Sequence, residues 1–211
     1  MMNEKLLDYL YEKIPKRSPL FEEMEQYAKE EHVPIMDPYS METLLLLLQL
    51  YKPKAILEIG AAIGYSALRM ASRTDAKIVT VERDEKRISD AKKFINQANK
   101  ADQIVLLEGD AFDLVDQVAA YAPFDCMFID AAKGQYQRFF EAFEPYMAES
   151  HVIITDNVLF RGFVYNGQYE NKRLANLAKK IDQYNHWLIT NQAYQTVILP
   201  VGDGMAISIK K

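Results

Sequence analysis

The stretch Ala55-Ile56-Leu57-Glu58-Ile59-Gly60-Ala61-Ala62-Ile63-Gly64-Tyr65-Ser66-Ala67-Leu68-Arg69-Met70 limits what this chain can fold into more than any other. An apolar run ends in a glycine turn, and apolar residues then recur at helical spacing (Ile63, Ala67, Met70, Ala71). The pattern predicts a buried parallel strand feeding a helix through a tight turn. Glycine suits positions 60 and 64 because a side chain there obstructs either a ligand nearing the backbone or the helix nearing the sheet. The first amides of that helix face whatever lies above the strand. A second apolar run, Lys77-Ile78-Val79-Thr80-Val81-Glu82, ends in a carboxylate placed to accept hydrogen bonds from a ribose diol. The glycines do not follow G-x-G-x-x-G, so a dinucleotide pyrophosphate has no cradle. That disfavours a nicotinamide-dependent oxidoreductase. A nucleoside without phosphates, such as S-adenosylmethionine, fits the loop better, although the same strand–glycine–helix pattern also serves as a purely structural turn.

Strands and helices alternate from Ala55 onward. A helix is expected from Asp84 to about Asn99, a strand at Ile104–Glu108, a helix from about Ala111 to Ala120 and a strand at Phe124–Ile129. Gln135 to Met147 reads as helical, with Tyr136, Phe139, Phe140 and Phe143 at helix spacing, and Val152–Thr155 reads as a strand. A loop from Leu159 to about Glu170 leads to a helix from about Lys172 to Leu188, and Thr196–Leu199 and Met205–Ile209 flank a Gly202-Asp203-Gly204 turn. The predicted architecture is α/β: a doubly wound, mostly parallel seven-stranded sheet with an antiparallel C-terminal hairpin. Residues 1–211 are expected to form one domain, with residues 1–50 as a helical extension packed on it. In that extension Asn3–Glu12 carries Leu6, Leu7, Leu10 and Tyr11 on one face. Ser18 caps a second helix with Phe21, Met24, Tyr27 and Ala28 inward. Asp37-Pro38 opens a third helix through Leu50. Its run Leu44–Leu48 is apolar nearly all round, so both sides are expected to be covered, one by the sheet and the other by the N-terminal helices or a second subunit. A homodimer is the expectation.

A net charge of -5 argues against a broad, non-specific nucleic-acid binder, though not against a local basic patch. The lone cysteine, Cys126, lies inside an apolar run and reads as a buried structural thiol. With no internal disulfide possible, no signal-type segment and Leu44–Leu48 too short to span a bilayer, a cytoplasmic location without membrane contact is expected.

In open α/β sheets ligands sit beyond the carboxyl ends of the strands. Here the strand ends are small, acidic or amide: Gly60, Glu82, Asp110, Asp130, Asp156 and Asn157. Asp130, Asp156 and Asn157 come from the fourth and fifth strands, and uncompensated carboxylates that close are costly. A hard divalent cation removes that cost, and oxygen donors with open water positions suit Mg²⁺. The alternative is that Asp130 caps the following helix while Asp156-Asn157 builds a turn. Lys133, three residues after Asp130, is either a general base beside the substrate oxygen or a solvated lysine at a helix start.

Three ordered motifs carry a resemblance: Glu58-Ile59-Gly60-Ala61-Ala62-Ile63-Gly64-Tyr65-Ser66, Phe128-Ile129-Asp130-Ala131-Ala132-Lys133 and Thr155-Asp156-Asn157-Val158-Leu159. From about residue 30 to the C-terminus the chain resembles the cation-dependent O-methyltransferases, which include catechol and caffeoyl-CoA O-methyltransferases. The resemblance implies a Rossmann-like methyltransferase fold. It implies S-adenosylmethionine contacts at Met36, Glu58, Gly60, Ala61, Ser66, Glu82, Asp110, Ala111 and Asp130, Mg²⁺ ligands at Asp130, Asp156 and Asn157, and Lys133 as base. His32–Met36, Asp130–Tyr136, His186-Trp187 and Pro200–Ser208 further resemble the bacterial methyltransferases that act on 5-hydroxyuridine at the wobble position of tRNA. That likeness implies a tRNA anticodon loop as partner. Cations at the site rim then have phosphates to meet, with Arg161, Lys172 and Arg173 (then Lys179 and Lys180) as candidates. Phe160, Phe163 and Tyr165 are candidates to stack on a splayed base. On spacing alone, these lysines also fit a solvated helix face and these aromatics a small-molecule pocket. Two rivals remain, a catechol-type enzyme with the same site and a non-catalytic RNA-binding module.

Overall fold

The computed structural model describes residues 4–211; Asn3, the expected start of the first helix, lies outside them. Strands β1 (Ala55–Ile59), β2 (Lys77–Glu82), β3 (Ile104–Glu108), β4 (Phe124–Ile129), β5 (Met147–Asp156), β6 (Tyr194–Leu199) and β7 (Met205–Lys210) form one sheet in the order β3-β2-β1-β4-β5-β7-β6. The first five run parallel, and β7 lies antiparallel to both β5 and β6. Ile59 is in register with Val81 and Ile129, and Ile129 with Thr155, so Gly60, Glu82, Asp130 and Asp156 all emerge at one edge. Strand order reverses between β1 and β4, where this sheet class opens a crevice.

Two apolar cores follow from the two-residue period of the strands. On β1, Ile56 joins the core on one face while Leu57 and Ile59 join the other. The first core is covered by α2 (Pro19–Glu30), α3 (Pro38–Tyr51), α4 (Tyr65–Arg73) and α5 (Glu85–Gln97), which supply Met24, Leu44, Leu48, Leu68 and Phe94. The second lies under α7 (Tyr136–Phe143) and α9 (Lys172–Thr190), through Phe140, Phe143, Ile181 and Leu188. Cys126 is fully buried, and burial pushes its thiol up. No described helix is long and apolar enough to cross a membrane.

Several local expectations change. The helix expected from Ala111 is only α6 (Val115–Ala119), because Asp110 Oδ1 accepts from the Phe112 amide at 3.0 Å and turns the chain first. The helix expected to reach Met147 stops at Phe143: Pro145 sits in a short 3₁₀ turn, Glu144–Tyr146, after which Met147 already begins β5. The loop after Asn157 contains a 3₁₀ turn, Phe160–Gly162, and a one-turn helix α8 (Phe163–Asn166). Ser18 stands at the N-cap of α2 without a capping hydrogen bond, whereas Asp37 caps α3 by accepting from the Tyr39 and Ser40 amides. On α3, Leu44, Leu45 and Leu48 are buried, but Leu46 and Leu50 are 60% and 81% exposed, so this chain covers one side only. The first helix, α1 (Glu4–Glu12), leaves Leu6 exposed because it lies across the mouth of the site and not on the core.

Candidate active site

A cavity of about 690 Å³ opens over the carboxyl ends of β1, β2, β4 and β5. Of the residues singled out from the sequence, Met36, Gly60, Ala61, Ser66, Glu82, Asp110, Ala111, Asp130, Lys133, Asp156 and Asn157 all line it.

One half is walled by Glu82, Asp110, Phe112 and Phe139. The Glu82 carboxylate closes β2, where the Ala62 amide donates to Oε2 (2.8 Å) and the Arg83 and Asp84 amides donate to Oε1 (2.8 and 2.9 Å). These bonds orient the carboxylate, with lone pairs left for a diol. Arg83 pairs with Asp110 at 3.2 Å beside it. Phe112 and Phe139 stack with centroids 4.8 Å apart and give the cavity an aromatic wall. At Gly60 (φ 105°) a Cβ would collide with the backbone of Asp130, whose carbonyl carbon would lie 2.9 Å away. Glycine is therefore required by the tip of β4 crossing over it. Gly64 (φ 79°) starts α4, and a Cβ there meets Ala91 only at 3.5 Å.

Glu58 is placed differently from its neighbours in the motif. It is fully buried, does not line the cavity, and accepts from Ser66 Oγ and Thr80 Oγ1. Burial raises its pKa to about 7, with the charges of Asp130 and Glu82 acting in the same direction.

The other half holds Asp130, Asp156, Asn157 and Lys133, joined by Asp203 from the β6–β7 turn. Asp156 is 3% exposed, and its Oδ1 has no hydrogen-bond partner. Burial pushes the Asp156 carboxyl well above the usual carboxylate range, and the charge of Asp130 adds to the effect; Asp130 is raised by burial too. Lys133 Nζ donates to Asn157 Oδ1, and burial lowers its pKa against the pull of Asp130, Asp156 and Asp203. Asn157 itself is left-handed (φ 63°), which turns its amide back toward Lys133. Among the described residues no three His, Cys, Asp or Glu side chains gather in the manner of a metal site, and the trio here is two carboxylates and a carboxamide. A hard divalent ion nevertheless fits these donors: all are oxygens, and one buried carboxylate oxygen lacks a partner.

The other candidates lie outside the cavity wall. Arg161 is exposed at the rim, close enough for its charge to act on Lys133. Lys172 and Arg173 open α9, exposed and away from the lining. Phe160 is buried against Phe163 (centroids 5.3 Å apart) and is not free to stack on a base; Tyr165 is exposed. The sequence reading missed Leu7 and Tyr11 of α1, Asp37, Phe112, Phe139 and Asp203, which also line the cavity. Only two carried a signal, the helix cap at Asp37 and the turn at Asp203.

The chain resembles known proteins over most of its length. A family model described as O-methyltransferase matches residues 12–211. Catechol O-methyltransferase of Niastella koreensis is 32% identical over 185 residues, 83% of this chain and 82% of that protein. A Staphylococcus aureus structure solved as a candidate caffeoyl-CoA O-methyltransferase is 36% identical with a TM-score of 0.89, covering 99% of this chain and 98% of that one. The O-methyltransferase from Bacillus cereus, solved in complex with SAH, is 27% identical with a TM-score of 0.83, covering 97% and 96%. A match that runs through both halves of the cavity, from the N-terminal helices to the terminal hairpin, settles the kinship: the chain belongs to the O-methyltransferase family.

Proposed function

We propose that this chain, an S-adenosylmethionine-dependent O-methyltransferase, methylates 5-hydroxyuridine to 5-methoxyuridine at the wobble position of tRNA with the help of Mg²⁺. The observation that carries the reading is the meeting, in one cavity, of a nucleoside-binding carboxylate, Glu82, with the donor set Asp130, Asp156 and Asn157 and the depressed amine of Lys133. S-adenosylmethionine supplies an electrophilic methyl group. Asp130, Asp156 and Asn157 would hold Mg²⁺, which would supply Lewis-acid chemistry favouring ionisation of the acceptor hydroxyl.

The chain's own residues do the rest. Glu82 orients the ribose, and the Phe112–Phe139 wall excludes water from the nucleoside. Lys133 Nζ, whose charged form burial disfavours, takes the hydroxyl proton. Holding donor and acceptor in line contributes more than any covalent step, since none is needed. Arg161 at the rim, and Lys172 and Arg173 beyond it, meet RNA phosphates. The proposal treats residues 1–211 as one cytoplasmic catalytic domain working as a homodimer.

Nucleoside mass spectrometry of tRNA from a strain lacking the gene tests the reading: 5-hydroxyuridine accumulates and 5-methoxyuridine disappears. A second reading, a small-molecule catechol-type enzyme, is favoured by the likeness to the Niastella koreensis protein. It predicts that 3,4-dihydroxybenzoate turns over faster than any tRNA.

A further inference from the structure

The segment from Asn157 to Gly162 follows β5 as a tight strap along the cavity rim. Four of its residues have positive φ: Asn157 (63°), Phe160 (46°), Arg161 (53°) and Gly162 (79°). Three of these are not glycine, and such backbone persists only where its surroundings over-determine it. The hydrogen bonds show what does so. The Val158 amide donates to the Gly204 carbonyl (3.0 Å), and the Leu159 and Phe160 amides donate to the Asp203 carbonyl (2.8 and 3.3 Å). Asn185 Nδ2 of α9 donates to the Val158 carbonyl at 2.8 Å. The Arg161 amide donates to the carboxylate of Asp203.

The hairpin turn that makes these contacts is itself wedged in place. At Gly202 (φ 54°) a Cβ would collide with Ser40 and Asp37 at the start of α3, and at Gly204 (φ 90°) one would collide with Leu159. The turn is therefore locked between α3 on one side and the strap on the other. Asp203 also lines the cavity and acts electrostatically on Lys133, as does Arg161 with the opposite sign.

We propose that Asp203 is a positioning residue: its carboxylate, by bonding the Arg161 amide, holds the left-handed strap that presents the Arg161 guanidinium to an anionic group of the acceptor substrate. The proposal takes from the tRNA reading only the identity of that anion, an RNA phosphate. Cofactor binding, on the far side of the cavity, does not depend on it.

The test compares wild type with Asp203→Ala, Asp203→Asn, Arg161→Ala and the double variant Asp203→Ala/Arg161→Ala, on an anticodon stem-loop carrying 5-hydroxyuridine. Asp203→Ala is expected to raise KM for the stem-loop roughly tenfold, the loss of one charge-assisted contact. SAH affinity by calorimetry stays unchanged, and Asp203→Asn, which keeps an acceptor oxygen for the Arg161 amide, restores most of KM. The double variant is no worse than Arg161→Ala alone, because Asp203 acts through Arg161. A joint fall in kcat and SAH affinity, or additive losses in the double variant, overturns the proposal. If wild type does not methylate the stem-loop, the tRNA reading falls, and amide hydrogen exchange at residues 159–161 then decides the role of Asp203. Faster exchange in Asp203→Ala than in Asp203→Asn supports it, and equal exchange overturns it. Should the alanine variant not fold, Asp203→Ser carries the same comparisons.

Discussion

Thr80 on β2 donates its hydroxyl to the carboxyl of Glu58 on β1 across 2.5 Å, inside a sheet where neither side chain meets water. Burial raises the Glu58 pKa to about 7, against an ordinary value of 4.5. Below pH 4.5 the group is protonated in both folded and unfolded chains and changes nothing. Between 4.5 and about 7 the unfolded chain releases its proton while the folded one keeps it, so stability falls as pH rises and then levels off. Glu58→Gln removes this term, since the amide can still bond Ser66 and Thr80. The variant is therefore expected to gain on wild type between pH 5 and 8, by on the order of 3 kcal/mol at the upper end. Urea melts of both proteins across that range measure the gap; a gap that does not change with pH sinks the idea.

The two loop glycines should respond unequally to alanine. At Gly60 an added Cβ strikes backbone at the tip of β4, which cannot yield without breaking the β1–β4 register. At Gly64 it meets Ala91 and Ile95 at ordinary contact distances, so only the left-handed φ is penalised. Gly64→Ala is expected to cost about 1–2 kcal/mol by the backbone term alone. Gly60→Ala is expected to cost more than that or to leave no soluble protein. Denaturation midpoints for the pair check the order, and a Gly60→Ala protein as stable as Gly64→Ala would contradict the packing account.

That contrast also shows how far the sequence could be read. The alternation of strands and helices, the terminal hairpin and the acidic strand tips follow from periodicity and turn residues, and the structure has them where the pattern put them; the strand order and its reversal between β1 and β4 come from the fold alone. The physical reason for Gly60 did not follow: it depends on Asp130, seventy residues away in the chain, closing over it. Glu58 shows the same limit. A carboxylate two residues before the glycine reads as a ligand group from its motif, yet only the fold reveals that Ser66 and Thr80 enclose it. The strap after Asn157 was legible as a loop but not as a braced one, because its partners at Asp203 and Asn185 come from distant elements. Local pattern fixes elements and their ends; which side chain faces the cavity is a tertiary outcome.

The outer side of α3 carries a further prediction. Leu46 and Leu50 lie at helical spacing and are 60% and 81% exposed, while the same helix is buried on its inner side. Burying such a leucine against a second copy is worth about 1.5–3 kcal/mol, enough to favour association when the pair is used twice by symmetry. Sedimentation at micromolar concentration is expected to show a dimer, and Leu46→Glu/Leu50→Glu a monomer whose own unfolding midpoint is unchanged. A wild-type monomer under those conditions removes the case for a homodimer.

Asp156 should trade stability for function. Its Oδ1 is buried without a partner, and burial together with the charge of Asp130 makes its ionised form costly. Replacing it by asparagine removes a charge and keeps the shape, so the metal-free Asp156→Asn protein is expected to be more stable than wild type at pH 7.5 by about 1–3 kcal/mol. Because the folded-state pKa is raised, wild type loses stability as pH climbs above the ordinary carboxylate value, and the advantage of the variant should shrink toward pH 4. If the proposed Mg²⁺ site is real, the ion is expected to reverse the order. Added to wild type, it is expected to relieve the repulsion and raise the melting temperature, with chelation by EDTA undoing the gain; added to Asp156→Asn, it is expected to do little, and turnover to be lost. Calorimetric melts with and without Mg²⁺ at two pH values separate these outcomes. A wild-type melting temperature indifferent to Mg²⁺, or an asparagine variant less stable than wild type in its absence, would mean that the carboxylates on β4 and β5 hold no cation.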